Sequence, residues 1–103
     1  GMPQVKTPAR QANATHVFHQ YTLQVREGNR DALRQHLADQ GIPAMIYYPV
    51  ALRKQKAYFQ ESDPKDFVNT DQLLDQVISL PMHTELDDEQ IEFITNSVLE
   101  FLK

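Results

Sequence analysis

The sequence contains no cysteine. Disulfide staples and thiolate metal sites are therefore excluded, and the composition fits a reducing, cytoplasmic setting. Glycine is almost as scarce, with three residues in all. Gly1 reads as a tag remnant, and two isolated glycines cannot build a phosphate-cradling Gly-rich loop. Positive charge is thin as well: ten basic residues against fourteen acidic ones give a net charge of −4. Arg53, Lys54 and Lys56 form the one short basic cluster, so a nucleic-acid partner is not expected. No apolar run approaches the ~20 residues of a membrane span, so no membrane partner is expected either. The N-terminus shows no apolar signal-peptide core. The glycosylation-like triplet Asn13-Ala14-Thr15 then reads as a chance match.

What remains is an ordinary globular composition of 103 residues, 41% apolar and 23% charged, which suits a single domain with one modest core. Residues 1–14 carry two prolines and no apolar period, and read as an extended lead-in to a domain over residues 15–103. From there Val17, Tyr21, Leu23 and Val25 alternate with polar residues as in a half-buried strand. Glu27-Gly28-Asn29 punctuates the chain. Asn29 then caps a helix with Leu33 and Leu37 on one face, and Gly41 supplies a left-handed exit.

Residues 42–48, rich in strand formers, predict a second strand, with Pro43 at its start or on an edge. Residues 51–60 predict a short helical turn, Glu61-Ser62-Asp63-Pro64 a turn, residues 66–76 a helix, and Ile78-Ser79-Leu80 a brief strand. In the last element Asp87 and Gln90 make a capping-box pair. Leu86 and Ile91 stand at its staple positions, and Ile91, Ile94, Val98, Phe101 and Leu102 form the apolar stripe. The expected fold is α+β: a small, mostly antiparallel three-stranded sheet with helices on one face.

Few residues carry catalytic signals. His16 and His19, three apart on a strand, would point to opposite faces and could not share an ion. His36 and His83 read as packing or surface residues. No serine sits in a nucleophile elbow, and Asp87-Asp88-Glu89 is what a helix dipole favours in a first turn. No catalytic residue and no metal site is expected. The exception to this blandness is Ile46-Tyr47-Tyr48-Pro49-Val50-Ala51-Leu52-Arg53-Lys54-Gln55, which places two tyrosines, an arginine and a glutamine after a strand. Tyrosine faces suit stacking on a sugar or base, and a guanidinium suits a phosphate or carboxylate.

Gly41-Ile42, Tyr47-Tyr48-Pro49 and Leu52-Arg53-Lys54-Gln55 together resemble the GI…HYPxPLHxQ signature of the DegT/DnrJ/EryC1/StrS aminotransferases. His16-Val17-Phe18-His19-Gln20-Tyr21 resembles that family's H-x-Y-H-L-Y strand. Ser79-Leu80-Pro81-Met82-His83 through Leu86-Asp87-Asp88-Glu89-Gln90-Ile91 resembles its SLPxHxxLTDEEI stretch. The three lie in order and in register over residues 15–102.

The resemblance implies the C-terminal small domain of a fold-type-I enzyme. Such enzymes use pyridoxal phosphate to transfer an amino group to a nucleotide-linked keto sugar, in the synthesis of amino sugars and surface polysaccharides. It implies that the cofactor lysine and most phosphate contacts belong to a large domain with no counterpart here. The chain alone would then bind no cofactor and catalyse nothing, and its partner would be that large domain. Tyr47, Tyr48 and Arg53 fall on the substrate side of the signature and are the expected substrate-binding residues. Tyr47 stands where histidine is usual, as does Arg53, and Ala51 where proline is usual. A free-standing binding module of the same fold is the alternative. An apolar surface left bare in the absence of the large domain would favour a homo-oligomer or domain swap through Met45, Tyr47 or Phe18.

Overall fold

The computed structural model describes residues 3–59, 61 and 65–103. Gly1, and the Ser62–Pro64 part of the expected turn, lie outside the described residues. Three short strands, β1 (Val5–Lys6), β2 (Tyr21–Val25) and β3 (Val77–Leu80), form one antiparallel sheet in the order β1-β2-β3. Among the described residues three α-helices accompany it: α1 (Arg30–Asp39), α2 (Val68–Gln76) and α3 (Asp88–Leu102).

The period-two pattern explains the layering. Leu23 and Val25 share one face of β2, and Leu23 stands opposite Ile78 in the register. On that face Leu33 and Leu37 of α1 and Val98 of α3 complete the core, and Val25, Leu33, Leu37 and Ile78 are fully buried. The expected α+β layer with helices on one face is therefore present. The opposite face begins with a polar cross-strand pair, the hydroxyls of Thr22 and Ser79 at 2.8 Å.

The sheet's members differ from the expectation. Residues 42–48 do not form a strand: Met45 alone bridges, exchanging two backbone hydrogen bonds (3.0 and 2.7 Å) with Ser79 on the free edge of β3. Pro43 has no N–H to donate, and the Ala44 N–H turns back to the Ile42 carbonyl at 3.1 Å, so no ladder propagates. The third strand comes instead from the lead-in, where Val5 pairs with Val25 and Lys6 with Gln24. β2 also starts later than the alternation suggested. Val17 is 89% exposed, and Phe18 takes a left-handed φ of 47° that no strand accommodates. The expected helix over 66–76 is present as α2, which ends at Gln76, and the brief strand starts one residue earlier than expected, at Val77.

The turn into α1, the exit at Gly41 and the cap of α3 follow the sequence. Glu27 and Gly28 both have positive φ (62° and 72°), the requirement of a tight primed turn into α1. Asn29 occupies the N-cap position of α1, but its side chain makes no capping bond. Gly41, at φ 77°, closes α1 with a Schellman pair: its N–H reaches the Ala38 carbonyl at 3.0 Å, and Ile42 N–H reaches that of Leu37 at 2.8 Å. This motif delivers Ile42 into the core beside Leu37 and aims the chain toward the tyrosine segment. At α3 the capping box is complete, with Gln90 N–H donating to Asp87 Oδ1 at 2.8 Å and Asp87 N–H to Gln90 Oε1 at 3.1 Å.

Candidate functional site

Past Met45 the chain leaves the sheet and enters the segment that carries the expected site residues. The Tyr47 and Tyr48 rings meet edge-on, 5.8 Å between centroids at 72°, with Tyr48 72% exposed. The peptide between them is cis. Ala51 is buried, and after it a 3-10 turn, Leu52–Lys54, is closed by Lys54 N–H donating to the Ala51 carbonyl at 2.8 Å. The turn lies within the stretch where a helical turn was expected, and it sets Arg53 facing α2.

Arg53 does not stand open to solvent. Its side chain is 15% exposed, and Nη2 donates to Asp71 Oδ1 of α2 at 2.5 Å. The guanidinium carbon lies 4.6 Å from the ring centroid of Phe67, the N-cap residue of the same helix. Lys54 Nζ approaches the same carboxylate at 3.9 Å. The structure thus brings Tyr47 and Tyr48 together and gives Arg53 contacts with α2. Beside Arg53 opens a depression of about 540 Å³, walled by Leu52, Tyr58, Phe59, Phe67 and Thr70. Asp71 and Phe67 escaped the sequence reading because no local spacing links them to a residue fourteen to eighteen positions earlier.

The hydrogen bond from Arg53 holds the Asp71 carboxyl below the usual carboxylate range; burial opposes this, and the charges of Arg53 and Lys54 add to the lowering. The sign is that of a depressed acid. The stabilisation is fully present above the unfolded value of about 3.9 and is lost as pH falls through the folded value. Urea unfolding of the wild type and of Asp71→Asn across a pH series should therefore show a stability gap that narrows below about pH 4.

Two of the histidines make defined contacts, and His19 and His83 are exposed. His36 Nε2 lies 3.1 Å from the Ser97 carbonyl, and its ring meets Phe101 at 5.5 Å, tying α1 to α3. His16 stacks on Phe18 at 4.0 Å, and its Nδ1 accepts the Phe18 N–H at 2.8 Å, while Arg10 covers the Phe18 ring at 4.8 Å. Among the described residues no group of three or more His, Asp or Glu side chains could hold a metal ion. Nor, among them, is any helix long and apolar enough to cross a membrane. A second depression, also about 540 Å³, is an apolar groove between the sheet and α3, lined by residues such as Val5, Leu80, Leu86, Ile91 and Leu99.

Residues 1–99 match the DegT/DnrJ/EryC1/StrS aminotransferase family. The chain belongs to that family. Its three-stranded sheet with helices on one face is the topology of the family's small C-terminal subdomain. A UDP-2-acetamido-2-deoxy-3-oxo-D-glucuronate aminotransferase of Pseudomonas aeruginosa is 37% identical over 90 residues, covering 87% of this chain and 24% of that protein. A pleiotropic regulatory protein of Geobacillus stearothermophilus is 34% identical over 103 residues, covering 96% of this chain and 26% of its own length. The X-ray crystal structure of DesV from S. venezuelae, in complex with a ketimine intermediate, superimposes with a TM-score of 0.88 at 29% identity, covering 100% of this chain and 28% of that one. The chain spans about a quarter of the length of the curated relatives it matches.

Proposed function

We propose that this chain is the substrate-side small domain of a pyridoxal-phosphate-dependent aminotransferase that acts on nucleotide-linked keto sugars in the cytoplasm, and that it catalyses nothing alone. Residues 15–103 form the domain proper, and the lead-in 1–14 supplies its edge strand. The observation that carries the reading is the pairing of the family match over residues 1–99 with a chain spanning a quarter of its relatives' length. The similarity to a UDP-sugar aminotransferase supports the substrate class.

The residues present do not fit the cofactor. A Schiff-base lysine needs a desolvated site that lowers its pKa, and all five lysines here are exposed. Gly28 and Gly41, both in helix-flanking turns, make no phosphate cradle. Cofactor chemistry is accordingly assigned to the large domain of the parent enzyme, which is also the expected partner. Exposed apolar side chains support such docking: Met45, Val50, Leu52, Tyr58, Phe59 and Val68 are each at least 45% exposed. Where the large domain is absent, a second copy of the chain is expected to cover exposed apolar surface, through Met45, Tyr47 or Phe18.

On this reading Tyr47 and Tyr48 offer stacking faces to the sugar nucleotide, and Arg53 stands behind them. Titration of the isotope-labelled chain with UDP-N-acetylglucosamine should perturb the signals of residues 47–55 first. Perturbation confined to the apolar groove along α3, or none at millimolar ligand, would count against the substrate-side assignment.

A further inference from the structure

Phe67 and Asp71 are four residues apart at the start of α2, so their side chains rise from one face of the helix. Together they form a socket: the Arg53 guanidinium carbon sits over the Phe67 ring, and the Asp71 carboxylate accepts from its Nη2. The far end of α2 is held by a second arginine. Arg30, the first residue of α1, is 9% exposed, and its Nη1 donates to the carbonyls of Leu74 (2.8 Å) and Val77 (3.1 Å). Leu74 lies in the last turn of α2, where its carbonyl has no helical partner, and Val77 is the first residue of β3; a guanidinium is the complement a helix C-terminus favours. Asp31 Oδ1 fixes Arg30 through its Nε at 2.6 Å. α2 is thus clamped to the α1 end of the sheet by Arg30 and to the tyrosine segment by Arg53.

We propose that Asp71 is a positioning residue that, through Arg53, sets the placement of the Tyr47–Tyr48 pair relative to the sheet. The inference deepens the substrate-side reading and rests on it for its functional consequence. It also reassigns Arg53. A guanidinium already engaged by a carboxylate and an aromatic ring serves the site by anchoring the segment, and the ligand-facing work falls to the tyrosines six and five residues before it.

The test uses the full chain without ligand and then with UDP-N-acetylglucosamine. In the wild type, rotation about the Arg53 Cζ–Nε bond should be slow enough to give separated guanidinium signals at low temperature. Rapid averaging there would overturn the latch without any variant being made. Asp71→Asn should collapse that separation and shift the Tyr47 and Tyr48 ring signals, while methyl signals of Val25, Leu33 and Ile78 stay in place. Asp71→Glu, which keeps the carboxylate, should restore most of both effects. Ring signals unmoved in Asp71→Asn, or moved equally in both variants, would refute the positioning role.

With ligand, Asp71→Asn should weaken binding several-fold and Asp71→Glu should recover it. A wild type that shows the latch but never binds the nucleotide sugar would sink the substrate reading and leave the latch standing. A wild type that binds without the latch would do the reverse.

Discussion

Replacing Leu37 by alanine should lower the unfolding free energy by about 3 kcal/mol, within the ~2–5 kcal/mol seen when a fully buried leucine is truncated. Leu37 is 0% exposed and belongs to the cluster that joins α1 to Leu23, Ile78 and Val98. It also stands at the third-last position of α1, under the Schellman bond that carries Ile42 into the same core. Truncation therefore empties the point where helix, turn and sheet meet, and few neighbours can collapse into the gap. A domain of this size has roughly 5–15 kcal/mol in total, so the loss is a large fraction of it. The thermal midpoint by circular dichroism should fall by about 15 °C. Leu99→Ala makes the comparison fair: Leu99 is 38% exposed, and its truncation should cost less than about 1 kcal/mol. Equal losses in the two variants would place the core elsewhere.

The second large effect is expected at Arg30. Arg30→Met keeps much of the stem's packing and removes the donors that satisfy the Leu74 and Val77 carbonyls. Each buried carbonyl left without a partner costs about 1–3 kcal/mol, so the variant should lose about 3 kcal/mol in urea unfolding. Arg30→Lys should recover only part of this, because one ammonium on a flexible stem replaces a planar fork. Hydrogen exchange should also quicken in α2 and β3 before it quickens in α3, whose capping box does not involve Arg30. Uniform exchange changes across all three helices would contradict the view of α2 as a separately clamped element.

The sequence was most informative where one short rule sufficed. The alternation of Leu23 and Val25, the left-handed Gly41 and the Asp87–Gln90 capping box each depend on two or three neighbouring residues, and each appears as expected. β1 was invisible because two residues cannot show a period. Residues 42–48 misled because Pro43 alone is tolerated at a strand start or edge, and the composition says nothing of the Ala44 N–H turned back to Ile42, which leaves one bridge at Met45. The site divides the same way. Tyr47, Tyr48 and Arg53 could be marked from the family resemblance. That Arg53 is held by Asp71 and Phe67 is a tertiary fact, set by how the segment folds back on α2. Arg30 escaped for the same reason, since its partners lie 44 and 47 residues away.

The central claim is that this chain shapes a sugar-nucleotide site and leaves the amino-transfer chemistry to another domain. Mixing it with pyridoxal phosphate, reducing with borohydride and mapping the adducts by mass spectrometry tests that claim most directly. With all five lysines exposed, the account predicts weak, scattered labelling that follows reagent concentration. Stoichiometric labelling of one lysine at low cofactor concentration would contradict it, because the chain would then own a cofactor site.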